Sequence, residues 1–389
     1  MSGNLLKIFL PLFLYAACSQ ATAKGIKRYQ PAQFSGKIGI EANMHVGRVF
    51  RHTTNFRPTI NGPSYAIEVS AFKQTDGTKN WQKKIHYPEI GGGFYAVIHH
   101  NRDTIGNGFG TYMFWKYPLV RSKVVDFYLK MGAGLGVLTK KYDAIKNPVD
   151  NPIGSYVNVF VLIRFGLDWK ISRQFKLVTA FTYSHFSDGA VQLPNLGINT
   201  PTGTIGLVYY PQNKPIKVNR DTFSRKPVLK NELYAKAGIG MLDVTKFIKE
   251  KPWLMQTTSI GYSRYINICN KLSAGLTLEF NFGEPHIYVN TLETEKKKLK
   301  KAATELSINI ADEILIGRFA MHFELGAYLY HTYRLPLPIY FKLGGAYYLP
   351  DMGKKKRSAM FINGNVKAHG ATAQLVEGNI GGVWKFNKK

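Results

Sequence analysis

Cysteine is nearly absent from this chain. Its 389 residues include two, Cys18 and Cys269. Cys18 falls inside an N-terminal segment with the pattern of an export signal. Lys7 comes early, Ile8 to Ala17 is apolar, and Ala21-Thr22-Ala23 is a small-x-small cleavage site. Removal of residues 1–23 leaves Cys269 alone. One thiol makes no intramolecular disulfide, so the exported fold is expected to be held by something else, and a closed barrel needs no staple. A lipoprotein reading, with Cys18 acylated after Ala16-Ala17, is the alternative, against which Tyr15 stands where Leu is usual.

Long apolar runs are missing too. The signal's own stretch is short and interrupted by Pro11, and no run of about 18 apolar residues follows it, which excludes helical membrane spans. A β-barrel is then the remaining way to cross a bilayer, because it satisfies every backbone group between strands. Acidic residues are scarce. Against 52 Lys+Arg stand 24 Asp+Glu, a net charge of +28. Nucleic acid is the usual partner for such a balance, but an exported chain rarely meets it, so no nucleic acid is expected. Anionic glycolipid of the outer leaflet, whose phosphates attract Lys and Arg, is the expected partner, with a generally basic solvated surface as the plain alternative. There is no Walker-type loop, Rossmann fingerprint or Gly-x-Ser-x-Gly elbow. His99-His100, and His45 with His52, lack a clustered acidic or Cys partner at ligand spacing, so neither metal nor cofactor is expected. Nothing repeats at about 20–50 residues beyond a hairpin rhythm, which predicts one domain over 24–389.

What is plentiful is Tyr (23), Phe (24) and Gly (37), in segments that alternate. Within 156–169, Val157, Val159, Val161, Ile163, Phe165, Leu167 and Trp169 oppose Tyr156, Asn158, Phe160, Leu162, Arg164, Gly166 and Asp168. Segments 271–282, 319–330 and 339–349 alternate in the same way. Further strands are expected at 36–47, 64–73, 91–100, 108–119, 125–138, 173–186, 202–211, 230–241, 255–266, 305–316, 357–368 and 373–386. The expected fold is all-β, a transmembrane antiparallel outer-membrane β-barrel of about 12–16 strands with both termini on the periplasmic side. A soluble exported sandwich would also alternate. If the first strand runs outward, 173–186 does too. The turn at Ile171-Ser172 is then periplasmic, and residues near 187 lie at the outer-leaflet end of the wall. The run Glu293–Lys301 is expected in an outer loop, touching glycolipid phosphates or simply solvated. Gly353–Arg357 reads as a periplasmic turn.

The segment Phe181-Thr182-Tyr183-Ser184-His185-Phe186-Ser187-Asp188-Gly189, followed by Pro194-Asn195-Leu196-Gly197, carries the chemistry. Strand side chains repeat with period two, so His185 and Ser187 share a face with Tyr183, Phe181, Thr179, Leu177 and Phe175. They form a candidate base–nucleophile pair on the more apolar face. That is odd for an enzyme in water and reasonable for one whose substrate is a lipid. The plain alternative is a pair of polar rim residues.

His-Phe-Ser-Asp-Gly with the Pro-Asn-Leu-Gly loop resembles the signature of PagL-type lipid A 3-O-deacylases, the acyloxyacyl hydrolases, in their longer Bacteroidetes-like version. The resemblance covers residues 35–211, with a weaker echo at 365–369 and 382–386. It implies an outer-membrane esterase that removes an ester-linked acyl chain from lipid A of lipopolysaccharide, without cofactor. Ser187 is then the nucleophile, His185 the general base, and Asn195 a supporting residue that donates to the oxyanion or fixes the loop. The backbone N–H groups at Asp188 and Gly189 are further oxyanion candidates. Two positions depart from the family pattern. Asn199 stands where the triad acid, typically Glu, is found, and Asp188 where Asn is usual. A neutral Asn can orient the His ring but stabilises an imidazolium less. The rival reading is therefore a non-catalytic barrel, a pore or an inactive relative.

Overall fold

The computed structural model describes residues 33–212, 214–219, 231–243, 252–282, 304–331, 338–352, 357–370 and 372–386. The expected export segment 1–23 with Cys18, the run Glu293–Lys301 and residues 353–356 of the expected periplasmic turn lie outside the described residues.

A two-residue strand, β1 (Gln33–Phe34), precedes eight long ones: β2 (Ile38–Gly47), β3 (Ser64–Gln74), β4 (Glu89–Ile98), β5 (Asn107–Arg121), β6 (Val125–Leu138), β7 (Val157–Lys170), β8 (Phe175–Ser187) and β9 (Ile198–Tyr209). A five-residue helix, α1 (Asn80–Lys84), interrupts the connection between β3 and β4. Each long strand pairs antiparallel with the next, and β9 returns to β2 (Ala42 opposite Leu207), closing a barrel. After it, β10 (Ile216–Lys217) pairs with β1.

A second closed barrel follows, from β11 (Asn231–Leu242), β12 (Trp253–Asn267), β13 (Asn270–Asn281), β14 (Thr304–Ile316), β15 (Phe319–Tyr330), β16 (Ile339–Tyr348), β17 (Ser358–His369) and β18 (Thr372–Phe386). Here β18 closes onto β11, with Ala237 opposite Ile380. The expectation of one barrel in one domain gives way to two closed eight-stranded barrels. Alternation marks every strand but carries no record of which strands close, and eight strands with no free edge satisfy their backbone without the other eight.

Burial follows the alternation with the sense inverted relative to a soluble protein. On β3, Glu68 and Ser70 face inward while Tyr65, Ile67 and Val69 face out. Leu135 on the outer face is 66% exposed and Arg164 in the lumen 0%. Ile308, Ile310, Ile362 and Ile380 give the second barrel the same aliphatic exterior. A soluble sandwich cannot leave such a belt in water, so both barrels have the surface of bilayer-spanning ones. Among the described residues no helix is long and apolar enough to cross a membrane.

The lumen of the first barrel is full. Arg164 binds Glu41 at 2.7 Å, donates Nε–H to the Thr182 hydroxyl at 2.8 Å, and also pairs with Glu68. Lys130 reaches Glu68 at 2.8 Å and Lys116 reaches Asp168 at 2.7 Å. Where β8 ends and β9 begins, Phe56, Tyr95, Phe160, Phe186 and Ile198 join one apolar cluster, with the Phe160 and Phe186 rings 4.9 Å apart. An eight-stranded barrel is just wide enough for such side chains to fill. The second lumen is likewise charged and paired: Lys342 sits between Glu279 at 3.0 Å and Glu377 at 2.9 Å.

Arg164→Leu removes the guanidinium that bridges Glu41 and Glu68 inside the lumen. Losing one partner of a buried ionic network costs about 3–5 kcal/mol. Urea unfolding of the refolded variant in micelles is expected to show that loss. An unchanged midpoint would mean that Lys116 and Lys130 suffice to neutralise both carboxylates.

Candidate active site

Strand β8 presents two faces. Lys176, Val178, Thr182, Ser184 and Phe186 are buried in the lumen, and Phe181, Tyr183, His185 and Ser187 face out. Phe186, fully buried in the aromatic cluster, anchors the strand between the two candidate residues and fixes their outward side. Val161 lies opposite His185 and Val159 opposite Ser187 on β7, so the flanking wall is aliphatic. On the other side, β9 sets Asn199 opposite His185. The expected strand 202–211 begins at Ile198 instead. Pro201 sits where the ladder to β2 ends at Gly47 and Thr202: its carbonyl still accepts from Arg48, but with no N–H it returns no bond.

That earlier start makes Asn199 a strand residue with a fixed cross-strand neighbour. His185 Nδ1 lies 2.6 Å from Asn199 Oδ1. A carbonyl oxygen only accepts, so Nδ1 carries the hydrogen and Nε2 keeps the lone pair a base needs. The Tyr183 hydroxyl donates to the same Oδ1 at 2.6 Å. The Asn199 amide nitrogen donates to His52 Nδ1 at 2.9 Å. His52 arrives because the chain after β2 keeps following β9: Arg48 N–H donates to Pro201 O at 3.3 Å and Phe50 N–H to Asn199 O at 2.8 Å. Sequence reading groups His52 with His45, but the two separate. His45 lies in the lumen, hydrogen-bonded to the Thr204 hydroxyl at 2.9 Å and beside Glu68 at 3.2 Å. His99 is buried, its Nδ1 donating to Gly106 O at 2.8 Å. Among the described residues no cluster of three His, Cys, Asp or Glu side chains could hold a metal.

Ser187 Oγ accepts a hydrogen bond from Asn195 Nδ2 at 3.0 Å. The other end of that amide, Oδ1, accepts the backbone N–H of Asp188 at 3.4 Å. The Asp188 N–H thus orients Asn195, while the Asp188 side chain is buried at the position that alternation turns inward. The group at His185 Nδ1 is Asn199, not Asp188. Gly189 has φ +68°, the left-handed turn by which the chain leaves β8.

The last residue of Pro194-Asn195-Leu196-Gly197 has a specific reason to be glycine. Gly197 has φ +78°, and a Cβ there would stand 2.7 Å from His185 Cε1. Its N–H donates to Pro152 O at 2.9 Å, tying the site loop to the 139–156 connection. Gly197→Ala therefore strains the backbone and displaces the base. A mispositioning of that kind is expected to reduce kcat about 100-fold, with the barrel still folded by its heat-dependent gel migration. Wild-type turnover in this variant would show that the ring has room to move.

Residues 65–208 match the family model for lipid A 3-O-deacylase (PagL), and residues 231–388 that for the acyloxyacyl hydrolase C-terminal domain. Each model falls on one barrel. Among solved structures, the outer membrane enzyme PagL is 15% identical, covering 44% of this chain and 99% of its own, with a TM-score of 0.32. Neisserial surface protein A is 8% identical over 44% of this chain and 96% of its own, TM-score 0.31. The Pseudomonas putida toluene transporter TodX is 9% identical over 95% and 92%, TM-score 0.17. No curated protein matches the sequence.

Proposed function

We propose a reaction for this chain from one premise: it belongs to the PagL-type lipid A 3-O-deacylase, or acyloxyacyl hydrolase, family. In the outer membrane it removes an ester-linked acyl chain from lipid A, and the first barrel does the chemistry. Ser187 Oγ attacks the ester carbonyl carbon as His185 Nε2 takes its proton. The carbonyl oxygen becomes an oxyanion within reach of Asn195 Nδ2, already held at Ser187 Oγ. Collapse breaks the bond to the sugar oxygen, which leaves as a hydroxyl with the proton from Nε2. Water then attacks the acyl-serine with the same base, releasing a fatty acid and restoring Ser187.

One observation carries this reading. On the outward face, the 2.6 Å bond to Asn199 commits His185 Nδ1 as a donor and leaves Nε2 as the base, on the same face of β8 as a serine to which Asn195 donates. The aliphatic flank of Val159 and Val161 lets an acyl chain lie along the wall, so the ester meets Ser187 without leaving the bilayer. The net charge of +28 suits a phosphorylated glycolipid. The rival, a barrel without catalysis, has Asn199 in its favour, since the residue that orients the base is neutral. As a pore it is disfavoured by a lumen packed with Phe160, Phe186 and an ion-pair network. Mass spectrometry of lipid A from cells with and without the chain tests the proposal. The expected result is loss of one acyl mass in its presence. Identical lipid A in both would favour the non-catalytic reading.

A further inference from the structure

Asn199 raises a question of orientation that a carboxylate would not. A carboxylate can accept from His185 through either oxygen. An amide accepts on one side only. Turned over, it would present Nδ2 to His185, draw the hydrogen onto Nε2, and abolish the base. The Tyr183 hydroxyl, 2.6 Å from Oδ1, does not decide the matter, because a hydroxyl can donate to an oxygen or accept from a nitrogen. His52 decides it when its own hydrogen sits on Nε2: its Nδ1, 2.9 Å from Asn199 Nδ2, is then an acceptor that only the amide nitrogen can satisfy.

We infer that His52 is a positioning residue for the reaction: it accepts the Asn199 amide and thereby keeps the Asn199 carbonyl on His185 Nδ1. The inference rests on the catalytic reading above for its effect on turnover, but not for its effect on the His185 ring. His52 acts through Asn199, the residue whose amide it hydrogen-bonds. Its place is secured by the Phe50 N–H bond to Asn199 O and by an edge contact with the buried Phe56, ring centroids 6.2 Å apart. The pairing spans 147 positions of sequence.

The test uses the full-length protein in micelles with purified lipid A as substrate. His52→Ala is expected to lower kcat about 10–100-fold, the usual range for a residue that orients a functional ligand through another, with KM changed less than about threefold. His52→Gln, whose Oε1 can accept the same amide, is expected to recover most of the rate. In an Asn199→Glu background, where no amide needs orienting, His52→Ala is expected to cost little, so the two changes are non-additive. Wild-type kcat in His52→Ala, or an equal loss in both backgrounds, would overturn the inference. Nitrogen-15 spectra of the His185 ring read the same point without turnover. The Nδ1–H tautomer is expected in the wild type and a mixture in His52→Ala, and an unchanged ring would overturn it. Ser187→Ala separates the two claims: turnover that survives it sinks the catalytic reading, while the ring spectra still judge His52.

Discussion

Ser187→Ala and His185→Ala are each expected to reduce lipid A deacylation by about 10⁴-fold or more, since a nucleophile and its base act as one unit and removing either disables both. The double variant is expected to be no slower than either single one. Neither change should unfold the barrel. Both side chains face out at the end of β8, half-buried and outside the ion-pair lattice and aromatic cluster that fill the lumen. Purified variants with the wild-type unfolding midpoint and no detectable release of fatty acid give the expected result. Undiminished release from either variant would refute the assignment.

The second large effect concerns what holds the base. Asn199→Ala removes the acceptor at His185 Nδ1 and leaves the imidazole free to adopt the wrong tautomer, a fault that costs a serine-type triad up to about 10⁴-fold. A loss of roughly 10²–10⁴-fold in kcat is expected, with KM little changed. Asn199→Glu is expected to keep or raise the rate, because a carboxylate accepts the same bond and also stabilises the imidazolium. Asp188→Asn is expected to stay within about threefold of wild type, since the bond at His185 Nδ1 comes from Asn199 and the Asp188 side chain is buried on the other side of the strand. The reverse pattern, with Asp188→Asn crippled and Asn199→Ala active, would move the orienting role to the carboxylate. If wild type shows no turnover and Asn199→Glu creates it, the natural protein is a relative that has lost its catalysis.

These expectations draw on two levels of structure. Period two is a local property, so the long strands, the side on which His185 and Ser187 project, and the polar or aromatic character of the other side are all legible in the sequence. So is the loop signature, because Pro194-Asn195-Leu196-Gly197 follows its strand within a few residues. Alternation does not say which face is wet. Only the assembled wall, with Leu135 outside and Arg164 inside, decides for lipid over water. Nor does it say which strands close. The returns of β9 to β2 and of β18 to β11 join residues far apart in the chain, and two eight-stranded barrels alternate just as one of sixteen would. The role of Asn199 is likewise tertiary. Spacing and family likeness place it at the triad position, but its bond to His185 depends on the register of β8 with β9. The link of His52 to Asn199 is not legible in the sequence, which groups His52 with His45 instead. His52 reaches Asn199 because the chain after β2 stays hydrogen-bonded along β9, and a contact made by backbone docking between distant segments has no local pattern to announce it.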